Sequence, residues 1–391
     1  MSGRERESQI GVFLRILMVV QPAQEMVTGL HWPPRPALPV AASHWRSVMK
    51  QMPLIILLLI AVGGALALVL SRSADQSGTP VENAGEGVIT LKGAVQFGEE
   101  HAFTRTIRKF EELVREYYGK PVKLELYMNS ELGLEKDYFA YMSQGISVDY
   151  GIVSPAHMST FSEAAPLMDM PFLFRSVTHW KHVLESDALD PIADQVADKA
   201  DVHLIGYAGG GVRNLIVNKP VRNIKELKGL SMRVMGAPIQ TQIFQAIGAA
   251  PSVIAYSEVY NAIQTGVIEA AENEAAGLQQ MKFYEVGPEI SQTQHAITVR
   301  PLCFSGKTLR RLPPDLQAAI RKAGREAGAF GREVESTEDA SILNNLAKEG
   351  RLRIHAFTER DAILKLVEPV KTAYAREIKA EKVLARINAL E

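Results

Sequence analysis

The sequence has a single cysteine, Cys303, among its 391 residues. One cysteine excludes a disulfide within the chain and a thiolate zinc site. Cys303 lies in the run PLCFS, which is typical of a buried strand, and we interpret it as a small core residue rather than a nucleophile. A chain without cysteine pairs is also compatible with an oxidising compartment.

An excess of charge of either sign is also lacking. The chain has 43 basic and 44 acidic residues, which gives a net charge of −1. No broad basic field exists to hold nucleic acid, so that class of partner is disfavoured. Apolar residues make up 47% and charged residues 22%, which are ordinary values for a globular protein. A length of 391 residues predicts two domains with an appendage.

Motifs of catalytic or cofactor-binding proteins are missing as well. The run SGKT at 305–308 lacks the glycine that a phosphate loop needs five residues before Gly306, so we interpret it as a turn. The nine histidines show no paired ligand spacing on a helix. His179 and His182 are three residues apart, and a solvated helix face is favoured there over a metal site. We therefore expect no cofactor, no metal and no enzymatic activity.

A long apolar run lies near the N-terminus. Residues 53–70 contain no charged residue, and the length of this run suits a transmembrane helix or a long apolar core of a signal peptide. Arg46 and Lys50 precede this run, so the positive end would stay in the cytoplasm and the rest of the chain would lie outside. A cleaved signal and a retained anchor both remain open.

The segments on either side of this run are predicted to lie outside the fold. Met49 and Met52 stand where the start of a signal is expected, which makes residues 1–48 a dubious extension. Residues 74–87 lack apolar periodicity and are rich in small polar residues, which is typical of a flexible tether. Residues 1–87 are thus interpreted as extension, signal or anchor, and linker.

From residue 88 the pattern alternates between strand and helix. Strands are predicted at 88–97, 122–128 and 148–153, with an amphipathic helix at 101–118 and a short helix at 137–145. This β-α-β-α-β order implies parallel strands joined by helical crossovers. Ligands of such sheets gather at the carboxyl ends of the strands.

The same alternation returns after residue 200. The predicted strands are 202–209, 214–219, 230–235, 250–256 and 352–357, and the predicted helices are 221–229, 238–248, 257–266, 314–349 and 360–389. Ser257 and Gly266 are the expected caps of the third helix. The glycine run 209–211 would absorb the dihedral change of a hinge between two lobes. Residues 314–349 form one long helix or two, and a single helix would brace both lobes.

Several segments together carry a resemblance to a known family. They are NSELGLEKDY, QGISVDYGIVS, APLMDMPFLFRS (165–176), GGGVRNLIVNKPVRNIKELKGLSMRV (209–234), IGAAPSVIAYSEVYNAIQTGVIEAAEN (247–273) and KFYEV (282–286). In this order and spacing, over about residues 88–380, the chain closely resembles the DctP-like substrate-binding proteins of TRAP (tripartite ATP-independent periplasmic) transporters.

The resemblance implies an α/β, periplasmic-binding-protein-like fold. Two lobes would enclose a ligand cleft and would be joined by hinge strands and a long bracing helix. The first lobe would comprise residues 88–210 with 299–338, and the second would comprise 211–298 with 339–391.

The resemblance also implies a set of ligand-binding residues. Arg233 matches the arginine of the motif KGLxxRV, and Arg213 matches the arginine of GxR. Asn273 matches the asparagine of GxxxxxEN, and Tyr256 matches the aromatic residue before SEVY. Glu135 matches the acid of LGxE. The chain departs from many members at Glu269-Ala270, where they have Asp-Gly. We expect this departure to affect a backbone turn rather than a ligand contact.

Arg233 has a physical argument of its own. It lies in the middle of an apolar strand, so its side chain faces a cleft or pairs with an internal acid. A planar guanidinium suits a carboxylate because it donates two parallel hydrogen bonds. The residues alone leave the ligand role and the structural ion pair open.

The function implied by the resemblance is capture of a carboxylate-bearing small molecule. The ligand would be an organic acid, and the stretch 292–305 is more similar to members that take sugar acids such as uronates. Delivery to the membrane subunits of a TRAP transporter and a periplasmic location follow from the same resemblance. The alternatives are a membrane-tethered receptor domain that senses its ligand, and an enzyme that uses the same cleft.

Overall fold

The computed structural model describes residues 88–391. The predictions for residues 1–87, including the apolar run 53–70, lie outside the described residues. In the described part of the chain, no helix combines the length and the apolar character needed to cross a membrane.

The strands join in one mixed sheet. They are β1 (Ile89–Ala94), β2 (Val122–Tyr127), β3 (Tyr150–Ile152), β4 (Val202–Val217), β5 (Ser231–Val234), β6 (Ala250–Val253), β7 (Ala270–Asn273), β8 (Glu289–Ser305) and β9 (Arg353–Ala356). Eight of the strands follow the order β2-β1-β3-β8-β4-β7-β5-β6, and β9 pairs with β8. The protein is therefore an α/β protein, as the sequence predicts.

Helices connect and cover these strands. They are α1 (Ala102–Tyr118), α2 (Glu135–Gln144), α3 (Val177–Glu185), α4 (Asp190–Ala200), α5 (Ile224–Leu227), α6 (Pro238–Ala246), α7 (Val259–Gln264), α8 (Ala275–Gln280), α9 (Gly306–Leu309), α10 (Pro314–Lys348), α11 (Arg360–Glu377) and α12 (Glu381–Ala389). Short 3₁₀ turns lie at Pro155–Met158, Ala165–Asp169, Tyr256–Glu258 and Phe283–Glu285.

The amphipathic pattern of α1 accounts for its place in the core. Phe103, Ile107 and Phe110 recur at helical spacing and are at most 1% exposed. The helix ends at Gly119, whose φ of 64° is the left-handed conformation that glycine adopts at little cost. The predicted helix at 101–118 is thus confirmed within one residue.

Two long strands run through the whole sheet. β4 pairs with β8 in antiparallel register from Val202 opposite Ser305 to Val217 opposite Glu289. One end of this pair continues through β3 to β1 and β2, and the other end continues through β7 to β5 and β6. The parallel pairing predicted for the first three strands is confirmed for β1 with β2 and with β3. The centre of the sheet is antiparallel, since β8 runs opposite to both β3 and β4, and β4 runs opposite to β7.

The prediction of separate strands at 202–209 and 214–219 is wrong. β4 passes through the glycine run without ending, and its pairing with β8 shifts register between Gly209 and Val212. Gly209 and Gly210 have φ values of 118° and 125°, which no bulkier residue adopts easily. The glycines bend a continuous strand between the two ends of the sheet.

Two local predictions also need correction. The helix expected at 257–266 begins later, because the 3₁₀ turn Tyr256–Glu258 precedes α7 and Glu258 rather than Ser257 is the N-cap. His179 is buried instead of solvated, since its Nε2 lies 2.8 Å from the carbonyl oxygen of Ile387 in α12. Both differences arise from contacts that the local pattern does not contain.

The segment 314–349 forms a single helix of 35 residues. Glycines let α10 pack directly on the backbone of β4: a Cβ at Gly206 would lie 2.0 Å from the carbonyl oxygen of Gly324, and one at Gly328 would lie 2.7 Å from the nitrogen of Tyr207. The helix therefore lies close against the central strand of the sheet, as expected for a bracing element.

Candidate functional site

Arg233 lies on β5 with 3% of its surface exposed. Its Nε donates to the carbonyl oxygen of Ile254 at 3.0 Å, and its guanidinium carbon lies 5.6 Å from the centre of the Tyr256 ring. Its two terminal nitrogens have no hydrogen-bond partner among residues 88–391. Burial lowers the pKa of Arg233, but an arginine stays charged in proteins.

A cavity of about 190 Å³ adjoins this guanidinium. Arg233 and Tyr256 line one side of it, and Gln96, Ala156 and His157 contribute from the part of the chain that contains β1 to β3. The cavity thus lies between the two ends of the sheet. It presents a buried cation, an aromatic ring and polar groups, together with the exposed side chains of Lys136 and Asp137. Such a lining suits a small polar anion.

Tyr256 is held in place from behind the cavity. Its hydroxyl accepts a hydrogen bond of 2.8 Å from Nδ2 of Asn273, and its ring meets Phe97 and Phe283 edge to face at 6.0 and 5.7 Å. Burial raises the pKa of the Tyr256 phenol. The neutral hydroxyl and the fixed ring orient this wall of the cavity.

Arg213 lies at the end of the same chain of contacts. Its NH1 donates to Oδ1 of Asn273 at 2.8 Å and also to Glu274. Its Nε and NH2 form a bidentate pair with the carboxylate of Glu272 at 2.6 and 2.8 Å, and NH2 also donates to the Glu272 carbonyl oxygen at 2.9 Å. All five N–H groups of Arg213 are therefore used inside the protein.

Burial and ion pairing have opposite effects on the pKa values of Arg213 and Glu272. Burial would lower the pKa of Arg213, but Glu272 and Glu274 raise it above its ordinary value. Burial would raise the pKa of Glu272, but Arg213 and His295 hold it well below its usual range. His295, whose Nε2 lies 3.1 Å from Glu272, has its pKa lowered by burial. The ion pair is consequently charged at neutral pH.

Glu135 begins α2 on the other side of the cavity. Its Oε2 accepts from the backbone nitrogen of Ser154 at 2.7 Å and lies 2.9 Å from Nδ1 of His157. Burial would raise the pKa of Glu135, but His157, Arg300 and the Ser154 amide lower it to about 2. Glu135 is thus a buried carboxylate that orients His157, and His157 itself lines the cavity.

The structure brings the five predicted residues together around one cavity, at different distances from it. Arg233 and Tyr256 line the cavity, while Arg213, Asn273 and Glu135 lie behind its walls and are bonded to other side chains. Direct contact of these three with a ligand stays a prediction. Both arginines are buried in this structure rather than open to solvent.

Other residues of the site were not found by sequence reasoning. They are Gln96, His157, Glu272 and His295. Glu272 and Glu274 flank a predicted residue, so their position next to Asn273 was a usable signal. The two histidines are isolated in sequence, and only the tertiary fold pairs each of them with a carboxylate. In the described part of the chain, no group of three or more His, Cys, Asp or Glu side chains has the arrangement to hold a metal ion.

A mixed sheet that extends through two lobes, with a cavity and a buried arginine between them, defines the class of two-lobed solute-binding proteins. The model of the DctP family, described as bacterial extracellular solute-binding protein, family 7, matches residues 94–379. The protein belongs to this family, whose members serve TRAP transporters. The family consists of transport proteins that bind a substrate.

A solute-binding protein from Sulfitobacter sp. strain NAS-14.1 is 52% identical over 327 residues, which cover 84% of this chain and 96% of the relative. A crystal structure of a TRAP periplasmic solute-binding protein from the same strain, with bound α-D-taluronate, is 54% identical. It covers 77% of this chain and 97% of that chain, with a TM-score of 0.76.

A further similar structure is a TRAP periplasmic solute-binding protein from Roseobacter denitrificans with bound L-galactonate. It is 25% identical, with a TM-score of 0.70, and covers 77% of this chain and 99% of that chain. The two structures share the fold of this protein and were both solved with a sugar acid.

Proposed function

We propose that this protein captures a sugar acid, a uronate or an aldonate, in the cavity beside Arg233 and delivers it to the membrane subunits of a TRAP transporter. One observation carries the proposal. The guanidinium of Arg233 is buried, stays charged and keeps both terminal nitrogens without a partner in the described part of the chain. A ligand carboxylate would accept two parallel hydrogen bonds from these nitrogens.

The other predicted residues are assigned supporting roles in this proposal. Tyr256 packs its ring against the guanidinium and would cover one face of the ligand. Asn273 fixes the Tyr256 hydroxyl, and Arg213 fixes Asn273. Glu135 orients His157 on the opposite wall, where the ring would donate to or accept from a ligand hydroxyl. Closure of the two lobes over the ligand would bring both walls into contact with it.

The class of ligand is supported by the cavity and by the relatives. A cavity of about 190 Å³ suits a molecule of a few carbon atoms with several hydroxyl groups. The two similar structures described above contain taluronate and galactonate, which share one carboxylate and a chain of hydroxyls. An acid of this chemistry would bind Arg233 with its carboxylate and the polar groups of the lining with its hydroxyls.

Binding without chemical conversion is part of the proposal. Burial raises the pKa of the Cys303 thiol well above its ordinary value, so the thiol stays protonated and is a poor nucleophile. Membership of an extracellular family supports a periplasmic location. There the protein would meet its ligand before docking on the transporter.

Thermal unfolding of the purified protein against a panel of uronates, aldonates, C4-dicarboxylates and sialic acid tests the proposal. A ligand present at about 100 times its Kd should stabilise the folded protein by about 2.7 kcal/mol and raise Tm by a few degrees. We expect the uronates or aldonates to give this shift and Arg233→Ala to abolish it.

Arg376→Ala is the matched control, because Arg376 is an exposed arginine of α11. This variant should keep the full shift in Tm. A folded protein that responds to no acid of the panel, or a response that survives Arg233→Ala, would contradict the proposed function.

A further inference from the structure

A third buried arginine, Arg300, lies on β8 at the middle of the sheet. It is 5% exposed and stands opposite Ala208 of β4, next to the glycine run that bends that strand. Its NH1 donates to the carbonyl oxygen of Val299 at 3.2 Å, and the same nitrogen lies 4.0 Å from Oδ2 of Asp169.

Three buried polar atoms around this position lack hydrogen-bond partners within residues 88–391. They are Nε of Arg300, Oδ1 of Asp169 and Oε1 of Gln96. Each belongs to a side chain that is at least nine-tenths buried, with exposures of 5%, 4% and 8%. A buried donor or acceptor without a partner is costly, so such a group needs a structural or functional reason. Arg300 Nε is a donor, and the two oxygens are acceptors. Hydroxyl groups of a ligand could pair with all three atoms, because a hydroxyl both donates and accepts.

One member of this cluster lines the cavity beside Arg233, and a second is hydrogen-bonded to a lining residue. Gln96 lines that cavity, and Asp169 accepts hydrogen bonds from Ser154 Oγ at 2.7 Å and from the nitrogen of Ala156, another lining residue, at 3.4 Å. The guanidinium carbon of Arg300 lies 5.1 Å from the centre of the Phe103 ring.

Aromatic rings connect the two arginines. The Phe103 ring is 5.6 Å from that of Phe97, and Phe97 is 6.0 Å from Tyr256, the ring that faces Arg233. Arg233 and Arg300 therefore lie at opposite ends of one aromatic cluster. A ligand that contacts Arg233 at one end would present its other end toward Arg300.

The charges at the two ends differ. Among the described residues, Arg233 has no acidic group within ion-pair distance, whereas Arg300 lies 4.0 Å from Asp169. Both arginines are within electrostatic range of Glu135, and burial raises the pKa of Asp169 while Arg300 opposes this rise. The charge of Arg233 is left for a ligand, whereas that of Arg300 is compensated in part by Asp169.

We propose that Arg300, Asp169 and Gln96 form a hydroxyl-binding subsite that selects monocarboxylic sugar acids against acids with a second carboxylate. This inference rests on the proposed function and deepens it. Arg300 donates to ring or chain hydroxyl oxygens, and Asp169 and Gln96 accept from the same hydroxyl groups. A second carboxylate at this end is repelled by Asp169 and supplies no hydrogen for either acceptor.

Isothermal titration of the unchanged protein with matched pairs of acids is the first test. Galacturonate and glucuronate are compared with galactarate and glucarate, open-chain acids in which C1, the hemiacetal carbon of the uronate, is a second carboxylate. We expect the uronates to bind about 100-fold more tightly or better, because a site built for hydroxyl groups rejects an analogue that leaves its acceptors unpaired. Equal affinity for uronates and aldarates would overturn the subsite.

Variants of the subsite give a second, independent readout. Asp169→Asn should weaken uronate binding about tenfold and leave or improve aldarate binding, so that the ratio of the two affinities falls. Arg300→Gln and the milder Arg300→Lys should weaken the uronates while Arg376→Gln changes nothing. A merely structural role would lower both affinities by the same factor and leave the ratio unchanged, which would also overturn the inference.

The two proposals fail in different ways. Uronate binding that depends on Arg233 but keeps its selectivity in Asp169→Asn and Arg300→Lys would contradict the subsite alone. Absence of binding by any acid of the panel to the folded, unchanged protein would contradict the proposed function and the subsite with it. Unfolding midpoints measured without ligand identify any variant that does not fold.

Discussion

At the scale of single residues, two arginines of the same buried sheet have different surroundings. Arg213 is enclosed by Glu272, Glu274 and Asn273, which accept all of its hydrogens. Arg233 donates only from Nε, to a backbone carbonyl. A buried charge is tolerated when it is paired, so Arg213 stabilises the framework, and Arg233 has donors left for an anion.

The variant Glu272→Gln should destabilise the protein strongly. The amide keeps the size of the carboxylate but removes the charge that compensates Arg213, and breaking a buried pair on one side costs about 3 kcal/mol or more. The free energy of unfolding, measured by urea titration at neutral pH, is expected to fall by this amount.

Glu349→Gln is the matched control, because Glu349 pairs with Arg351 at an exposed position. Loss of that pair should cost less than about 1 kcal/mol. Equal losses in the two variants would mean that Glu274 alone compensates the charge of Arg213.

At the scale of elements, β4 decides how the two ends of the sheet are joined. The strand is 16 residues long and continues through three glycines, while Oγ1 of Thr298 on β8 accepts hydrogen bonds from the nitrogens of Gly210 and Gly211 at 2.9 and 3.0 Å. The local pattern predicts an interruption at these glycines. Strand pairing with β8 overrides it, because a side-chain hydroxyl satisfies the backbone groups that the bend leaves unpaired.

The variant Gly209→Ala should test how tightly this bend is packed. A Cβ at Gly209 would lie 2.1 Å from the carbonyl oxygen of Thr298, and the φ of 118° is unfavourable for alanine in any case. We expect a loss of unfolding free energy well above the cost of about 1–2 kcal/mol that a left-handed conformation alone imposes. Chemical denaturation of the purified variant measures this loss.

Gly229→Ala separates the two contributions. Gly229 also has a positive φ, 78°, but no atom lies within 4 Å of a Cβ placed there. Only the conformational cost of about 1–2 kcal/mol should appear in this variant. A loss in Gly209→Ala no larger than that in Gly229→Ala would show that β4 moves away from β8 without penalty.

At the scale of the whole molecule, α10 connects the bend in β4 to the start of α8. Oδ2 of Asp339 accepts from the nitrogen of Val212 at 3.1 Å, and Oδ1 accepts from the nitrogen of Ala275 at 2.9 Å. One carboxylate of the long helix thus holds a backbone nitrogen within β4 and another just after β7. Burial raises the pKa of Asp339 to about 6, with Glu274 adding to the rise and the two amides and Arg213 opposing it.

This raised pKa predicts a pH dependence of stability with a definite sign. Between an ordinary value of 3.8 and about 6, the folded protein holds a proton that the unfolded chain has released. The free energy of unfolding should therefore fall as pH rises through this window, by about 3 kcal/mol from this group, and the full contribution is present below it. Urea titrations at several pH values measure the effect.

Comparison with Asp339→Asn isolates the contribution of this group, since asparagine does not titrate. The difference in unfolding free energy between the unchanged protein and the variant should shrink as pH rises from about 4 to about 6. Asp361→Asn, at an exposed position at the start of α11, is the control. A difference that stays constant across the window for Asp339→Asn would contradict the assignment.

The sequence by itself determined the elements whose signals are local. The apolar face of α1, the first three parallel strands, the helical character of 314–349 and the family motifs follow from neighbouring residues in the chain. The same motifs located Arg233 and Tyr256, which line the cavity, and they located Arg213 and Asn273 beside them.

The tertiary structure alone decided which groups these side chains bond to. The partner of Arg213 is Glu272, 59 residues away, and His179 is buried by α12 from the far end of the chain. Arg300 and Asp169 are far apart in the chain, and only the fold brings their side chains to 4.0 Å from each other. Helix and strand preferences depend on near neighbours, whereas burial and ion pairing depend on strands brought together across the sheet.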